Sequence, residues 1–113
     1  MIAQKNRLSS RADFGRIFKN GNKISNQYCN IRYLVNQLGY CSFAVIVSNK
    51  ISSKAAERNQ IKRRIKAILI KNLFKFSKNF DIVVTVLPAL KGLKYQDVEE
   101  IFLNLFKKQK ILL

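Results

Sequence analysis

The chain has 113 residues, 48% of them hydrophobic, which suits one domain with its own core and excludes a charged, disordered tail. Twenty-two Lys and Arg stand against six Asp and Glu, with no His and a formal net charge of +16. Self-repulsion at that charge disfavours the compact free protein, and a bound polyanion relieves it: nucleic acid is the first candidate and a membrane surface the second.

Residues 1–8 are basic and polar and read as an arm without an apolar run of signal-peptide length. Ser9 or Ser10 is suited to cap a short helix with Asp13 in its first turn, Phe14, Ile17 and Phe18 on one face, and Gly21 at its end. Lys23 to Val35 has the β-formers Ile24, Tyr28, Ile31, Tyr33 and Val35 and reads as a strand. Asn36-Gln37-Leu38-Gly39 reads as a hairpin turn, and Tyr40 to Val47 as the returning strand. Ser52 or Ser53 is a plausible cap for a long helix to about Lys75 or Phe76, with Ile61, Ile65, Ile68, Leu69 and Leu73 as its core stripe. Ile70 and Phe74 fall on another side, which points to packing on more than one face.

Asp81 to Leu87 is a continuous, largely β-branched apolar run, expected of a central strand that Pro88 ends. Tyr95 to Lys108 is a last amphipathic helix with Val98, Ile101, Phe102, Leu105 and Phe106 inward. The order is α-β-β-α-β-α, a single compact α+β domain over residues 1–113. The strands flanking the long helix are able to pair in parallel as a βαβ unit, whose crossover is right-handed by default. No segment approaches the roughly 20 apolar residues of a membrane span, so a soluble, cytoplasmic protein is expected.

The charge is concentrated on the long helix. Ten of the basic residues fall between Lys50 and Lys78, where the only acid is Glu57. Arg58, Lys62 and Lys66 recur at i, i+4 and i+8, with Asn59 and Arg63 beside them. Like charges at that spacing repel, so the helix gains nothing from them in isolation, whereas a polyanion does. Arg offers planar forked donors suited to phosphate, and Asn can bond a base edge or a sugar hydroxyl. Twelve aromatics add potential stacking platforms for unpaired bases. Phe14 and Phe18 share a helix with Arg11 and Lys19 and suit that role as well as core packing. Phe43, Phe74, Phe80, Phe102 and Phe106 read as core.

Chemistry by the protein itself is not expected. There is no His, and of six carboxylates only Asp97, Glu99 and Glu100 are close in sequence, where helix-dipole stabilisation explains them. No Gly-rich phosphate loop occurs. Cys29 and Cys41 are isolated thiols that read as small buried strand residues. No catalytic residue and no protein metal ligand is assigned.

Lys54-x-Ala56-x-Arg58-Asn59-x-Ile61-Lys62-Arg63, with Lys66 beyond it, closely resembles the signature of the protein subunit of bacterial ribonuclease P. Arg7-Leu8 followed by Asp13-Phe14-x-x-Ile17-Phe18-Lys19-x-Gly21 resembles that family's opening. Val45-x-Val47-Ser48-x-Lys50 and Asp81-Ile82-Val83-Val84 resemble its strands on either side of the long helix.

The resemblance implies an α/β sandwich with a left-handed βαβ crossover, against the default. It also implies a large catalytic RNA as partner, which with Mg²⁺ hydrolyses the phosphodiester that frees the mature 5′ end of tRNA. The subunit would bind that RNA through Lys54, Arg58, Asn59, Lys62, Arg63 and Lys66. It would hold the single-stranded 5′ leader of precursor tRNA with Phe14, Phe18 and a residue of the first long strand, with Lys50 and Lys54 as nearby phosphate contacts. For the strand position Tyr33, Arg32 and Tyr28 are open, and Tyr33 is favoured. Mg²⁺ would be held mainly by RNA, and no obligate protein partner or membrane is expected. Gln60 and Lys66 depart from the Arg usual in the family, which removes one charge and one bidentate fork. The competing reading is a ribosomal or other structural RNA-binding protein without a substrate leader.

Overall fold

The computed structural model describes residues 11–36 and 39–112. The basic arm, the Arg7-Leu8 part of the family opening and the cap at Ser9 or Ser10 lie outside them, as does the side chain of Asp13. The elements follow as helix α1 (Arg11–Asn20), strands β1 (Asn22–Ser25), β2 (Cys29–Val35) and β3 (Ser42–Ile46), helix α2 (Ala55–Lys71), strand β4 (Phe80–Val86) and helix α3 (Tyr95–Lys108). Short 3₁₀ turns at Leu73–Lys75 and Pro88–Leu90 flank β4.

The stretch expected as one strand from Lys23 to Val35 is instead a hairpin, so three strands precede α2. The cause is Asn26, whose Oδ1 accepts the backbone N–H groups of Tyr28 at 2.8 Å and Cys29 at 3.1 Å. An Asn side chain that satisfies two amides in this way gives the backbone an alternative to extension and reverses it. β1 and β2 then pair antiparallel, with Ile24 opposite Ile31.

The second difference is strand order, β1-β2-β4-β3. β2 and β3, expected to form a hairpin about Asn36–Gly39, are not neighbours. β4 enters between them, antiparallel to β2 (Tyr33 opposite Ile82) and parallel to β3 (Phe43 opposite Ile82). All of β4 except Thr85 is buried, and only a position with strands on both sides and helices on both faces covers such a run. The parallel β3–α2–β4 unit expected from the sequence is present.

The sheet separates two layers. On one face α2 and α3 cover Ile31, Tyr33, Phe43, Val45, Ile82 and Val84, with Ile65, Ile68, Leu69, Phe102 and Phe106 from the helices. Full burial of side chains of this size contributes about 1.5–3 kcal/mol each. On the other face α1 forms a smaller cluster of Ile17 and Val83, with Phe14, Leu34 and Ala44 against it. Gly21 ends α1 as expected, and for a steric reason: a Cβ there would run into the Ile17 carbonyl oxygen and lie 3.1 Å from that of Tyr33.

The long helix stops short of its expected end. Buried Asn72 turns its Nδ2 back to the Ile68 carbonyl at 2.8 Å and onto Glu99 Oε2 at 3.1 Å, and the chain tightens into the 3₁₀ turn. The second half of α2 is not packed all round: Ile70 reaches the core, but Phe74 is exposed. The other four aromatics expected in the core are buried.

Candidate nucleic-acid interface

The start of α2 is fixed by the loop before it. Ile51 and Ser52 are buried, the Ser52 hydroxyl oxygen accepts the Lys54 amide at 3.2 Å, and Arg58 Nη1 donates to the Ser52 carbonyl at 2.9 Å. Neither Ser52 nor Ser53 is the helix cap; that position belongs to Lys54, which makes no side-chain capping bond. Arg58 thus fastens the loop with at least one of its donors, a structural task that the basic stripe alone did not reveal.

One turn further on, Ala56, Asn59, Lys62, Arg63 and Lys66 line a shallow open groove along the helix. The one acid of the region is directed elsewhere: Glu57 pairs with Lys91 at 3.2 Å. Between Arg58 and Phe80 the sequence has no carboxylate. The groove therefore offers cationic and amide donors along about 10 Å of helix, at 1.5 Å per residue, which is the chemistry phosphates and sugar hydroxyls require. Lys54 is exposed at the helix start, and Lys50 is exposed in the turn before it.

The second candidate surface is on the opposite side of the sheet. Phe14 is half-buried and Phe18 is 44% exposed. Arg32 reaches Phe18 from β2, with its guanidinium carbon 5.3 Å from the Phe18 ring centroid and its Nη1 donating to the Phe18 carbonyl oxygen at 2.9 Å. Beyond α1 the sheet continues as a cross-strand row of Asn30, Thr85 and Ile46, none of them buried. Rings, a guanidinium and uncovered polar side chains thus border one open strip of sheet.

Tyr33, the strand residue favoured for this surface, is a correction. Side chains alternate along β2, so Tyr33 points to the other face, where it is 6% exposed. There it meets Phe80 edge to face at 5.7 Å, and its hydroxyl donates to Gln109 Oε1 at 3.2 Å. Tyr28 is half-buried beside Leu93 and Ile101 of the α3 layer. Arg32 is the one of the three alternatives that stands with Phe14 and Phe18. Asn30, Thr85 and Ile46 were not anticipated, since only the strand register brings them into a row.

Three of the described carboxylates are engaged by cations and amides, while Asp97 and Glu100 border one open surface of α3. Asp81 is buried against Arg16 and Asn36, Glu99 bonds Asn72 and Lys71, and Glu57 bonds Lys91. Among the described residues no three His, Cys, Asp or Glu side chains are grouped to hold a metal ion, and no helix is long and apolar enough to cross a membrane. The two thiols are buried, and burial pushes that of Cys29 up to about 12.

The family model described as Ribonuclease P matches residues 2–110. The chain is 30% identical to the ribonuclease P protein component of Pseudanabaena sp., over 99% of this chain and 97% of that one. It is 33% identical to that of Fusobacterium nucleatum, over 95% and 99%. The solved structure of the ribonuclease P protein from Thermotoga maritima superposes with a TM-score of 0.81 at 34% identity, over 90% of this chain and 96% of that one. With a basic groove on α2, an aromatic strip under α1 and this likeness along nearly its whole length, the chain belongs to the ribonuclease P protein family.

Proposed function

We propose that this subunit of the ribonuclease P endoribonuclease works by binding on two faces: the α2 groove docks on the RNA subunit, and the strip beside α1 holds the 5′ leader of precursor tRNA. The observation that carries the reading is the placement of the two surfaces on opposite faces of one sheet, since α2 belongs to one layer and α1 to the other. A rigid sheet between them fixes the distance from docked RNA to held leader, and positioning of this kind is how a non-catalytic subunit raises a rate.

In the groove, Lys62, Arg63 and Lys66 supply charge, and Asn59 supplies an amide able to distinguish a base edge or a ribose from a phosphate. Under α1, Phe14 and Phe18 offer ring faces to unpaired bases, and Arg32 brings a cation to the adjacent phosphate. Stacking tolerates any base, which suits a leader that differs from one precursor to the next.

Mg²⁺ supplies the charge stabilisation that phosphodiester hydrolysis needs. The carboxylates of the described residues are either engaged by cations and amides or, like Asp97 and Glu100, exposed on α3. That donor set does not fit a resident metal site, so the ion is assigned to RNA phosphates. The subunit's own contribution is cationic: it lowers the repulsion among RNA and leader phosphates and with it the Mg²⁺ concentration needed.

The test is reconstitution with the RNA subunit at low Mg²⁺. The chain alone is expected to leave precursor tRNA intact, and its addition to the RNA subunit to restore cleavage at the mature 5′ end. Failure to restore cleavage under those conditions overturns the proposal.

A further inference from the structure

Phe74 is the most exposed large hydrophobic side chain among the described residues, at 75%. It is not a frayed end. The turn that carries it is pinned by Asn72, which bonds Ile68 and Glu99, while its neighbour Leu73 packs on the core. Order without burial calls for an explanation, because a ring held in water gains nothing from its position.

Its surroundings are cationic. Lys75 places its ammonium 5.8 Å from the Phe74 ring centroid, and Lys71 and Lys78 are exposed nearby in sequence. Glu99, the carboxylate that bonds Asn72 of this turn, is already engaged by Lys71 at 3.2 Å. Along α2, Asn59, Arg63 and Lys66 follow at i, i+4 and i+7, and the helix ends at Lys71, just before the turn that presents Phe74. At 1.5 Å per residue the end of α2 at Lys71 stands about 12 Å beyond Arg63, and the turn follows it.

We infer that Phe74 is a stacking platform for an unpaired base of the RNA subunit, at the far end of the α2 docking groove, with Lys75 and Lys78 holding the flanking phosphates. The inference rests on the proposed role of that groove. A second copy of this chain fits the patch less well. Of the other exposed large hydrophobics among the described residues, Phe18 and Ile46 lie on the opposite face of the sheet and Val35 at the end of β2, so what the turn itself presents is one ring beside a lysine. That is far less than the roughly 800 Å² per partner of a standard protein interface. One ring flanked by cations matches the footprint of one nucleotide, and its pinned turn lowers the ordering cost of binding.

The experiment compares full-length variants for affinity to the ribonuclease P RNA subunit at fixed salt. Phe74→Ala and Phe74→Leu are expected to weaken binding about 5- to 150-fold, the range for loss of one base stack, while Phe74→Tyr and Phe74→Trp retain it. The chain has no Trp, so Phe74→Trp also reports directly: its fluorescence is expected to be quenched when the RNA subunit is added.

Arg63→Ala is the reference for the groove. If it weakens binding while Phe74→Ala and Phe74→Leu bind like the unmodified chain, the platform is wrong and the groove stands. If Arg63→Ala also has no effect, the groove reading fails with it. A change confined to precursor tRNA affinity, or to self-association in sedimentation, overturns the assignment to the RNA subunit.

Discussion

Arg32 of β2 and Phe18 of α1 meet twice, by a guanidinium over the ring at 5.3 Å and by a hydrogen bond from Nη1 to the Phe18 carbonyl at 2.9 Å. The bond uses a carbonyl in the last turn of α1, where a cation also complements the helix dipole. The contact holds the ring toward the open strip while leaving it partly exposed. Fold and binding surface therefore share one residue.

Replacing Arg32 separates these roles. Arg32→Ala is expected to cost about 0.5–1 kcal/mol of stability, the value of an exposed cation–π contact. It is also expected to reduce the preference for precursor over mature tRNA about five-fold or more, with little change in affinity for the RNA subunit. Arg32→Lys keeps the charge without the planar fork and should fall between. Equal leader preference in Arg32→Ala and the unmodified chain would remove Arg32 from the proposed cleft.

Phe18→Ala should act on the same preference, and more strongly than on stability, since the ring is 44% exposed. Phe14 is half-buried against the Ile17–Val83 cluster, so Phe14→Ala is expected to lower both. Thermal melts alongside binding to precursor and mature tRNA distinguish the two patterns. The same loss of leader preference without loss of stability in both variants would contradict the burial difference.

Much of this was legible in the sequence, for reasons that also mark where legibility ends. The final helix follows from the sequence at its observed bounds because Val98, Phe102, Leu105 and Phe106 keep a 3.6-residue period. The central place of β4 follows too, because an apolar β-branched run requires cover on both faces. Its neighbours were not legible, since strand order is decided by pairing between distant segments. The parity of β2 was not legible either: helices cover both faces of the sheet, so Arg32 and Tyr33 each had a plausible inward side. Phe74 and Phe102 look alike as letters, and only the break at Asn72 leaves one in water and the other in the core.

Lys62 tests the groove by salt rather than by affinity alone. A protein that neutralises phosphates releases their counterions, so log K falls linearly with log salt. Lys62→Ala is expected to weaken binding to the RNA subunit and to lower the magnitude of that slope by about one. Lys108→Ala, an exposed residue at the end of α3 and away from the groove, should leave the slope unchanged. An unaltered slope in Lys62→Ala would take that side chain off the RNA.

Asp81 is 1% exposed within β4 and pairs with Arg16 of α1, while its second oxygen accepts Asn36 Nδ2 at 2.9 Å. With the Arg32–Phe18 bond, the pair ties α1 to the sheet. Removing one partner strands a buried charge: Arg16→Met is expected to destabilise the fold by about 3 kcal/mol, the low end for broken buried pairs, because Arg16 itself is 38% exposed. Adding Asp81→Leu should recover much of that loss, since a buried ion pair is often replaceable by apolar residues. Denaturant titrations of the single and double variants measure the coupling directly, and additive losses would show that the two side chains do not act as a pair.

Glu99 gives a pH dependence of definite sign. The Asn72 hydrogen bond, then those and the charge of Lys71, outweigh desolvation and hold its carboxyl below the ordinary value of 4.5. A depressed carboxylate contributes stability that is fully present above its unfolded pKa and is lost as pH falls through the lower, folded value. The contribution is thus constant at neutral pH and disappears on the acid side of 4.5. Glu99→Gln keeps an acceptor for Asn72 but has no proton to bind in this range. It should lower stability at pH 7 and flatten the acid limb of the stability profile, with the two curves converging at low pH. Because the same residue pins the turn that carries Phe74, acidification should loosen that turn first. Amide protection of residues 72–76, taken relative to the intrinsic exchange rate at each pH, that falls below pH 4.5 ahead of that of the β4 amides would show it, and an equal change in both segments would refute it.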